Sequence, residues 1–259
     1  MQPLRQRFTR FRLRSLLLMV CLVAMLLSLW SNKANRQRRA VNVIHDYGHV
    51  VYWHEFPYRD LHDLKPGEAR LVDYSARPVG SILLRRLLGD DYFQTVRLVS
   101  FSPTDEVMNV LSDLPEVNHV DLDGFRLTDE GFRKLATVTD LEDLSIENAT
   151  NLSSDSMSIL EQFKNLKTLT IKHTPIDSRF IKFIANSKSL RQVYLYGTQL
   201  TKEDEKRLRD MLSHATVDVE EPTEYDGGKP TGKPAIAPYN SYGSSSKNMR
   251  EKQRRVSGL

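Results

Sequence analysis

Phe93-x-x-Val96-x-Leu98, Val117-x-x-Val120-x-Leu122, Leu141-x-x-Leu144-x-Ile146, Leu166-x-x-Leu169-x-Ile171 and Leu190-x-x-Val193-x-Leu195 are one pattern written five times, with starts 24, 24, 25 and 24 residues apart. Twelve places into each unit stand Thr104, Thr128, Ser153, Asp177 and Thr201, the third displaced by its extra residue. Each is a good helix N-cap, because its side-chain oxygen accepts a backbone N–H that the first turn leaves orphaned. Four residues later come Met108, Phe132, Met157, Ile181 and Glu205, then Leu111, Leu135, Leu160, Ile184 and Leu208. That i, i+3 pair is the buried stripe of a short helix. Each unit therefore reads strand, turn, capped helix. One such unit cannot bury its apolar face alone, so neighbours must stack on a shared core. The predicted architecture is an α/β solenoid over residues 93–219, with a parallel sheet on its inner curve.

Within a unit, places four and six point inward and places three, five and seven alternate onto the concave face. The first unit puts Thr95, Arg97 and Val99 there; the second, His119, Asp121 and Asp123; the third, Asp143, Ser145 and Glu147. Thr168, Thr170 and Lys172 follow, then Gln192, Tyr194 and Tyr196. Asp121, Asp123, Asp143 and Glu147 would thus crowd two neighbouring strands. Like charges placed side by side cost stability, so their presence points to use, and tyrosines are favoured at binding hot spots. We therefore single out His119, Asp121, Asp123, Asp143, Glu147, Lys172, Tyr194 and Tyr196 as the candidate partner-binding set. A solvated strand face that merely needs polar residues is the competing explanation.

The ends differ from this block. Residues 1–45 hold nine Lys/Arg and no acid, and residues 220–259 hold seven basic and five acidic residues. From totals of 37 and 33, residues 46–219 keep 21 basic and 28 acidic, a net of −7. The overall +4 therefore lies on the ends and not on a folded surface, which argues against nucleic acid. Ser15–Trp30 runs without a charge after an arginine-rich arm. At ~1.5 Å per residue it spans roughly 24 Å, slightly under a ~30 Å hydrocarbon core, and snorkelling by Arg14 and Lys33 makes up the rest. A cleaved leader would want a small-x-small site, and Asn32-Lys33-Ala34 is a poor one. We read residues 1–32 as a basic arm and an uncleaved, single-pass signal anchor in the cytoplasmic membrane. Five arginines before the span against four basic residues after it favour the arm inside and the solenoid outside. The lone Cys21 excludes an intramolecular disulfide.

Between anchor and repeats, residues 33–92 read as an N-terminal cap. Arg36–Tyr47 is helical in pattern, Gly48 is a plausible left-handed C′ residue, and His49–Phe56 reads as a strand. Residues 57–80, rich in Pro and Gly, read as an irregular excursion. Ser81 opens a short helix, Ile82–Leu88, that Gly89 closes. After Leu212, Ala215–Val219 offers a last short strand. Residues 220–259 turn to Pro, Gly, Ser and charge and read as disordered.

An arginine-rich FRLRSLLLMVCLVAMLL anchor, RQRRAVNVI, LLGDDYF and L-x-x-L-x-L units with LTDEGFRKL turns together resemble bacterial membrane-anchored leucine-rich-repeat proteins over residues 8–219. The resemblance implies a solenoid for protein contacts and carries over no catalytic residue.

No phosphate-binding loop, dinucleotide fingerprint, zinc-protease motif or nucleophile elbow occurs. HEFPYRDLHD gathers His54, Glu55, Asp60, His62 and Asp63, but the spacing matches no established metal site. We read it as a solvated rim and expect no metal and no cofactor. Asn148-Ala-Thr and Asn151-Leu-Ser are formal glycosylation sequons, read here as turn residues. The expected function is a membrane-tethered, non-enzymatic module that binds a protein or peptide, with a basic patch suited to the carboxylates. The alternative is a scaffolding membrane protein without a concave-face ligand.

Overall fold

The computed structural model describes residues 4–55, 76–220, 225–226 and 229–230. It is a mixed α/β fold built on one seven-stranded sheet whose spatial order is the sequence order. The strands are β1 (Gly48–Tyr52), β2 (Val96–Phe101), β3 (His119–Asp123), β4 (Asp143–Glu147), β5 (Thr168–Lys172), β6 (Gln192–Tyr196) and β7 (Thr216–Glu220). Only β1 runs antiparallel to its neighbour; β2 to β7 pair in parallel. Parallel neighbours require a crossover, and helical segments supply it.

The inward stripe comes from places four and six of each unit. Val120 and Leu122, Leu144 and Ile146, Leu169 and Ile171, Val193 and Leu195 are all buried in consecutive register. Met108, Leu111, Phe132, Leu135, Met157, Leu160, Ile181 and Ile184 meet them from the crossovers and are buried too. Glu205 is the exception to that stripe, half-buried and paired with Arg209 at 2.6 Å. The crossovers themselves are tight. Val107–Asp113, Ser154–Gln162 and Ser178–Phe180 are 3₁₀ turns, with α3 (Asp129–Arg133) and α4 (Ile181–Ile184) barely a turn of α-helix. The full-length exception is α5 (Lys202–Met211), closed at its start by a Thr201–Asp204 capping box. Thr128, Ser153 and Asp177 also cap with their side chains, as the spacing predicts. Thr104 does not: the turn after it begins at Val107, with Glu106 in the cap position and no side-chain cap bond.

The first unit departs from the sequence reading in register. Val99 pairs with Val120 and Phe101 with Leu122, so the inward residues of β2 are Val99 and Phe101. The motif is Val96-x-x-Val99-x-Phe101, three places later than Phe93-x-x-Val96-x-Leu98. Thr104 follows Phe101 by only three positions, where Thr128 follows Leu122 by six. The turn is shorter by three, which left the helix stripe in phase and slid the strand. The outward residues are consequently Leu98, Ser100 and Ser102, not Thr95, Arg97 and Val99.

A second correction concerns the N-terminus. The segments read as an anchor and as a membrane-proximal helix are one helix, α1 (Leu4–Ile44). Among the described residues it is the one helix long and apolar enough to cross a membrane. Its residues 16–29 are exposed, whereas Ala34, Gln37, Ala40, Val41 and Ile44 are buried against the sheet end. Gln37 donates to Gln94 O at 2.9 Å and accepts from Val96 N at 3.3 Å, tying α1 to the start of β2. Gly48 is not a left-handed cap either. It lies in β1, where a Cβ would meet Ser100 O at 2.1 Å, so it is needed for close approach of β2. The strand read as His49–Phe56 ends at Tyr52 and turns over Trp53–Glu55.

The short helix stands as read: α2 (Ile82–Leu88) between Ser81 and Gly89. The last strand is β7, one residue later than Ala215–Val219, pairing Val217 with Val193. The 57–80 excursion is described only from residue 76. The tail lies outside the described residues apart from one short antiparallel pair, Tyr225–Asp226 with Lys229–Pro230.

Candidate binding face

The pleat places alternate side chains of β2–β7 on one outward face, and the parallel register lines them up in rows. One row runs Leu98, His119, Asp143, Thr168, Gln192, Thr216. The next runs Ser100, Asp121, Ser145, Thr170, Tyr194, Asp218, and His49 of β1 extends it. The third holds Asp123, Glu147, Lys172 and Tyr196.

These rows are not equally open. His119 is 2% exposed and Asp143 7%, with His119 Nε2 2.5 Å from Asp143 Oδ2. The other ring nitrogen, Nδ1, lies 2.6 Å from Asn118 Oδ1. A buried contact of this kind is structural, so these two leave the surface a partner can reach. Leu98 and Thr168 in the same row are buried as well.

The other two rows are half-buried and reachable. Asp121 Oδ2 accepts from Ser100 Oγ at 3.2 Å. Burial pushes its carboxyl above the usual range, opposed by hydrogen bonds from Ser145 and Ser100 and by the charges of Lys172 and His49. His49 moves the opposite way: burial lowers it, with Asp121 opposing. Asp123 accepts from Ser102 Oγ at 3.2 Å and Asn148 Nδ2 at 3.3 Å. Glu147 stands opposite Lys172 on β5. The like-charge crowding expected from sequence is therefore relieved locally, by hydroxyls and an amide on the acids and by one cation across the row. At the far end Tyr194 and Tyr196 stack at 6.2 Å, and Tyr196 OH donates to Asp218 Oδ2 at 3.1 Å. Burial first, and Asp218 second, raise the Tyr194 phenol. Asp218 belongs to the same acidic surface and lies on the last strand, β7, beyond the five units whose places the sequence pattern names.

The turns beside this face are stitched by a pattern no strand periodicity reveals. Asp105 accepts from Thr128 N at 2.9 Å and Thr128 Oγ1 at 2.5 Å; Asp129 accepts from Ser153 N at 2.8 Å and Ser153 Oγ at 2.6 Å. Ser154 Oγ accepts from Asp177 N at 2.8 Å. At these three junctions the residue one past Thr104, Thr128 or Ser153 thus holds the cap residue of the next unit. Gly131 is small for this reason, since a Cβ there would meet Asp105 Oδ1 at 2.1 Å. Asn148 and His173 close their strands at φ 55° and 47°, the left-handed turn positions that the Asn148 sequon was read as.

Among the described residues, no three His, Cys, Asp or Glu side chains are grouped to hold a metal ion. Of the HEFPYRDLHD cluster, His54 and Glu55 are described and sit in the turn after β1; Asp60, His62 and Asp63 lie outside the described residues. Glu55 there accepts from Tyr52 N at 2.8 Å, a local turn contact. No protein-family model matches the chain, and no curated protein matches it.

Proposed function

We propose that the chain is a leucine-rich-repeat solenoid, tethered by α1 to the cytoplasmic membrane, that binds a protein or peptide on the outward face of its sheet and performs no reaction. One observation carries this reading. Asp121, Asp123, Glu147 and Asp218 form an acidic surface in two registered rows, relieved by the single Lys172 and ending in the stacked Tyr194 and Tyr196. Such a surface suits a basic segment, with the tyrosines as rigid anchors. The continuity of α1 supports an uncleaved anchor, because the same helix that carries the apolar run supplies Ala34 to Ile44 to the core.

The test uses the full chain in detergent and compares captured partners of the wild type with those of Asp121→Lys and Glu147→Lys. Both side chains are half-buried on the outward face and already carry a carboxylate, so each change exchanges one charge for another. Loss of a common partner is expected; identical partner sets would end the assignment of this face. A scaffolding role without a ligand on the sheet has one observation in its favour, the local satisfaction of Asp121 and Asp123. It predicts capture through the N-terminal end or the tail, unaffected by either substitution. For topology, the short basic arm stays inside and the long domain is exported. A C-terminal alkaline phosphatase fusion should be active and a fluorescent-protein fusion dark.

A further inference from the structure

The short helix α2 has its polarity inside out. Its inward residue is Arg85, 14% exposed at the side chain, whose Nε donates to Asp90 Oδ1 at 2.7 Å and Nη1 to Pro78 O at 3.1 Å. Its leucines point away from the domain. Leu83 and Leu87 are 76% and 77% exposed, Ile82 67% and Leu84 45%, with Val79 at 83% just before the helix. None of its residues is buried. A helix resting in water does the reverse, and a contiguous apolar patch of this kind marks a contact surface.

Position identifies what covers it. One end of α2 is held, through Phe93 and Tyr92, against the place where the apolar run of α1 stops, and the other lies about two turns further along α1, beside Arg38. At one end Gly80 lies on Phe93, so close that a Cβ would sit 2.8 Å from the ring. Phe93 in turn meets Trp30 edge-on at 5.7 Å, and Tyr92 meets the same indole at 5.2 Å. Ser31 Oγ and Tyr92 OH are hydrogen-bonded at 3.0 Å. At the other end Gly89 lies beside Arg38, whose Nε bonds Asp91 Oδ2 at 2.6 Å. Trp30 is a residue type that settles at the membrane–water boundary. The leucines of α2 therefore continue the apolar surface of α1 at that boundary. Exposed Arg86 on α2 and Arg77 before it are placed to snorkel toward anionic headgroups.

We propose that α2 is a second membrane-contacting element, seated in the interfacial layer of the bilayer that α1 crosses. It pins the folded domain to the membrane surface, so that the domain does not swing on α1 as a stalk. The proposal rests on the reading of α1 as a membrane span.

The test reads both separately in the full chain. Leu83→Cys in a Cys21→Ser background, and Cys21 itself in the wild type, are labelled with an environment-sensitive fluorophore. Each is reconstituted in phosphatidylethanolamine–phosphatidylglycerol vesicles containing spin-labelled lipid. Quenching at both positions is expected, with the Leu83 position ~5–10 Å deep in the interfacial layer. Adding Leu87→Glu should reduce quenching at position 83 about twofold or more without changing it at position 21. Quenching at 21 alone overturns the role of α2 and leaves the span intact. Quenching at neither position removes both. A blue-shifted but unquenched label at 83 means that protein, such as a second copy, covers the patch, and this also overturns the proposal.

Discussion

The N-terminal end of the sheet and its middle solve the same problem by different means. From β3 to β6 each unit meets a near copy of itself, so equivalent aliphatics stack, and three successive turns hold the next through Asp105, Asp129 and Ser154. At the N-terminal end there is no preceding copy. Its place is taken by unlike parts: the lower half of α1, antiparallel β1, and cross-links of individual design. Lys33 pairs with Glu116, Arg38 with Asp91, and Gln37 bridges Gln94 and Val96. Periodic parts are interchangeable in kind; the end is held by contacts that occur once.

The largest effects should come from the core, and they test whether the end belongs to it. Leu144→Ala in the middle should cost on the order of 2–5 kcal/mol, as for a fully buried leucine. Ile44→Ala, on the long N-terminal helix α1, should cost as much, because Ile44 is equally buried. Urea unfolding of the full chain in detergent measures both. An Ile44→Ala cost under about 1 kcal/mol would make the end of α1 an ornament on a self-sufficient sheet. Val217→Ala on the last strand should cost less than either, being a smaller deletion at a position 7% exposed.

Next in size is Gln37→Ala. It strands the buried Val96 N–H and the Gln94 carbonyl, and an orphaned buried group costs about 1–3 kcal/mol. Gln37→Glu should recover part of that loss, since a carboxylate still accepts from Val96 N. Equal losses for both would show that side-chain volume, not the hydrogen bond, matters at this junction.

The contrast between the regions also decided what could be read from sequence. The middle was legible because the strand pattern, the caps Thr128, Ser153, Asp177 and Thr201, and the i, i+3 stripe each repeat, so errors in one are corrected by the others. The first unit had no such protection. Val96 fits both registers, and a turn shorter by three residues slid the strand while the helix stayed in phase. Continuity of α1 was hidden because charge at Lys33 looks like the end of a span, although polar residues there face exposed acids of the domain. On the outward face of β3 to β6, alternation named the right side chains, but burial of His119 and Asp143 depends on what packs over one row, which period two does not encode. Asp105 and Gly131 pair across units, a relation visible only once the turns are stacked.

A smaller effect lies in acid. Burial acts to raise Asp129, but hydrogen bonds from Ser153 and Ser156 hold it below its ordinary value. Hydrogen bonds from Arg179 hold Asp177 down to about 2. A folded pKa below the unfolded one means stability that is complete above the unfolded value of 3.8 and lost as pH falls through the folded one. Asp177→Asn should therefore flatten the loss of stability between pH 3.8 and about 2. Exposure of Asp177 limits the effect to less than about 1 kcal/mol. Lys33 and Glu116, exposed at the N-terminal end, should contribute less when broken together, and their contribution should vanish in high salt.

The smallest effect belongs to Asp121, where the two regions meet: Ser100 of β2 supports it from one side and Ser145 of β4 from the other. Its sign is opposite to that of the turn aspartates. Burial raises its pKa, so the folded chain holds this proton more tightly than the unfolded chain does. The resulting stability is complete below the unfolded value of 3.8 and is lost as pH rises through the folded pKa. At pH 7 the ionised carboxylate is a burden, lightened by two hydroxyls and by Lys172. Asp121→Asn removes the charge and keeps the shape, so it should leave stability at pH 7 within about 0.5 kcal/mol of wild type, on the stabilising side. The same substitution should weaken capture of a basic partner. A residue whose charge burdens the fold and whose neutral replacement loses a ligand is kept for binding. A loss of more than about 1 kcal/mol at pH 7 would instead make the carboxylate part of the joint between β2 and β4.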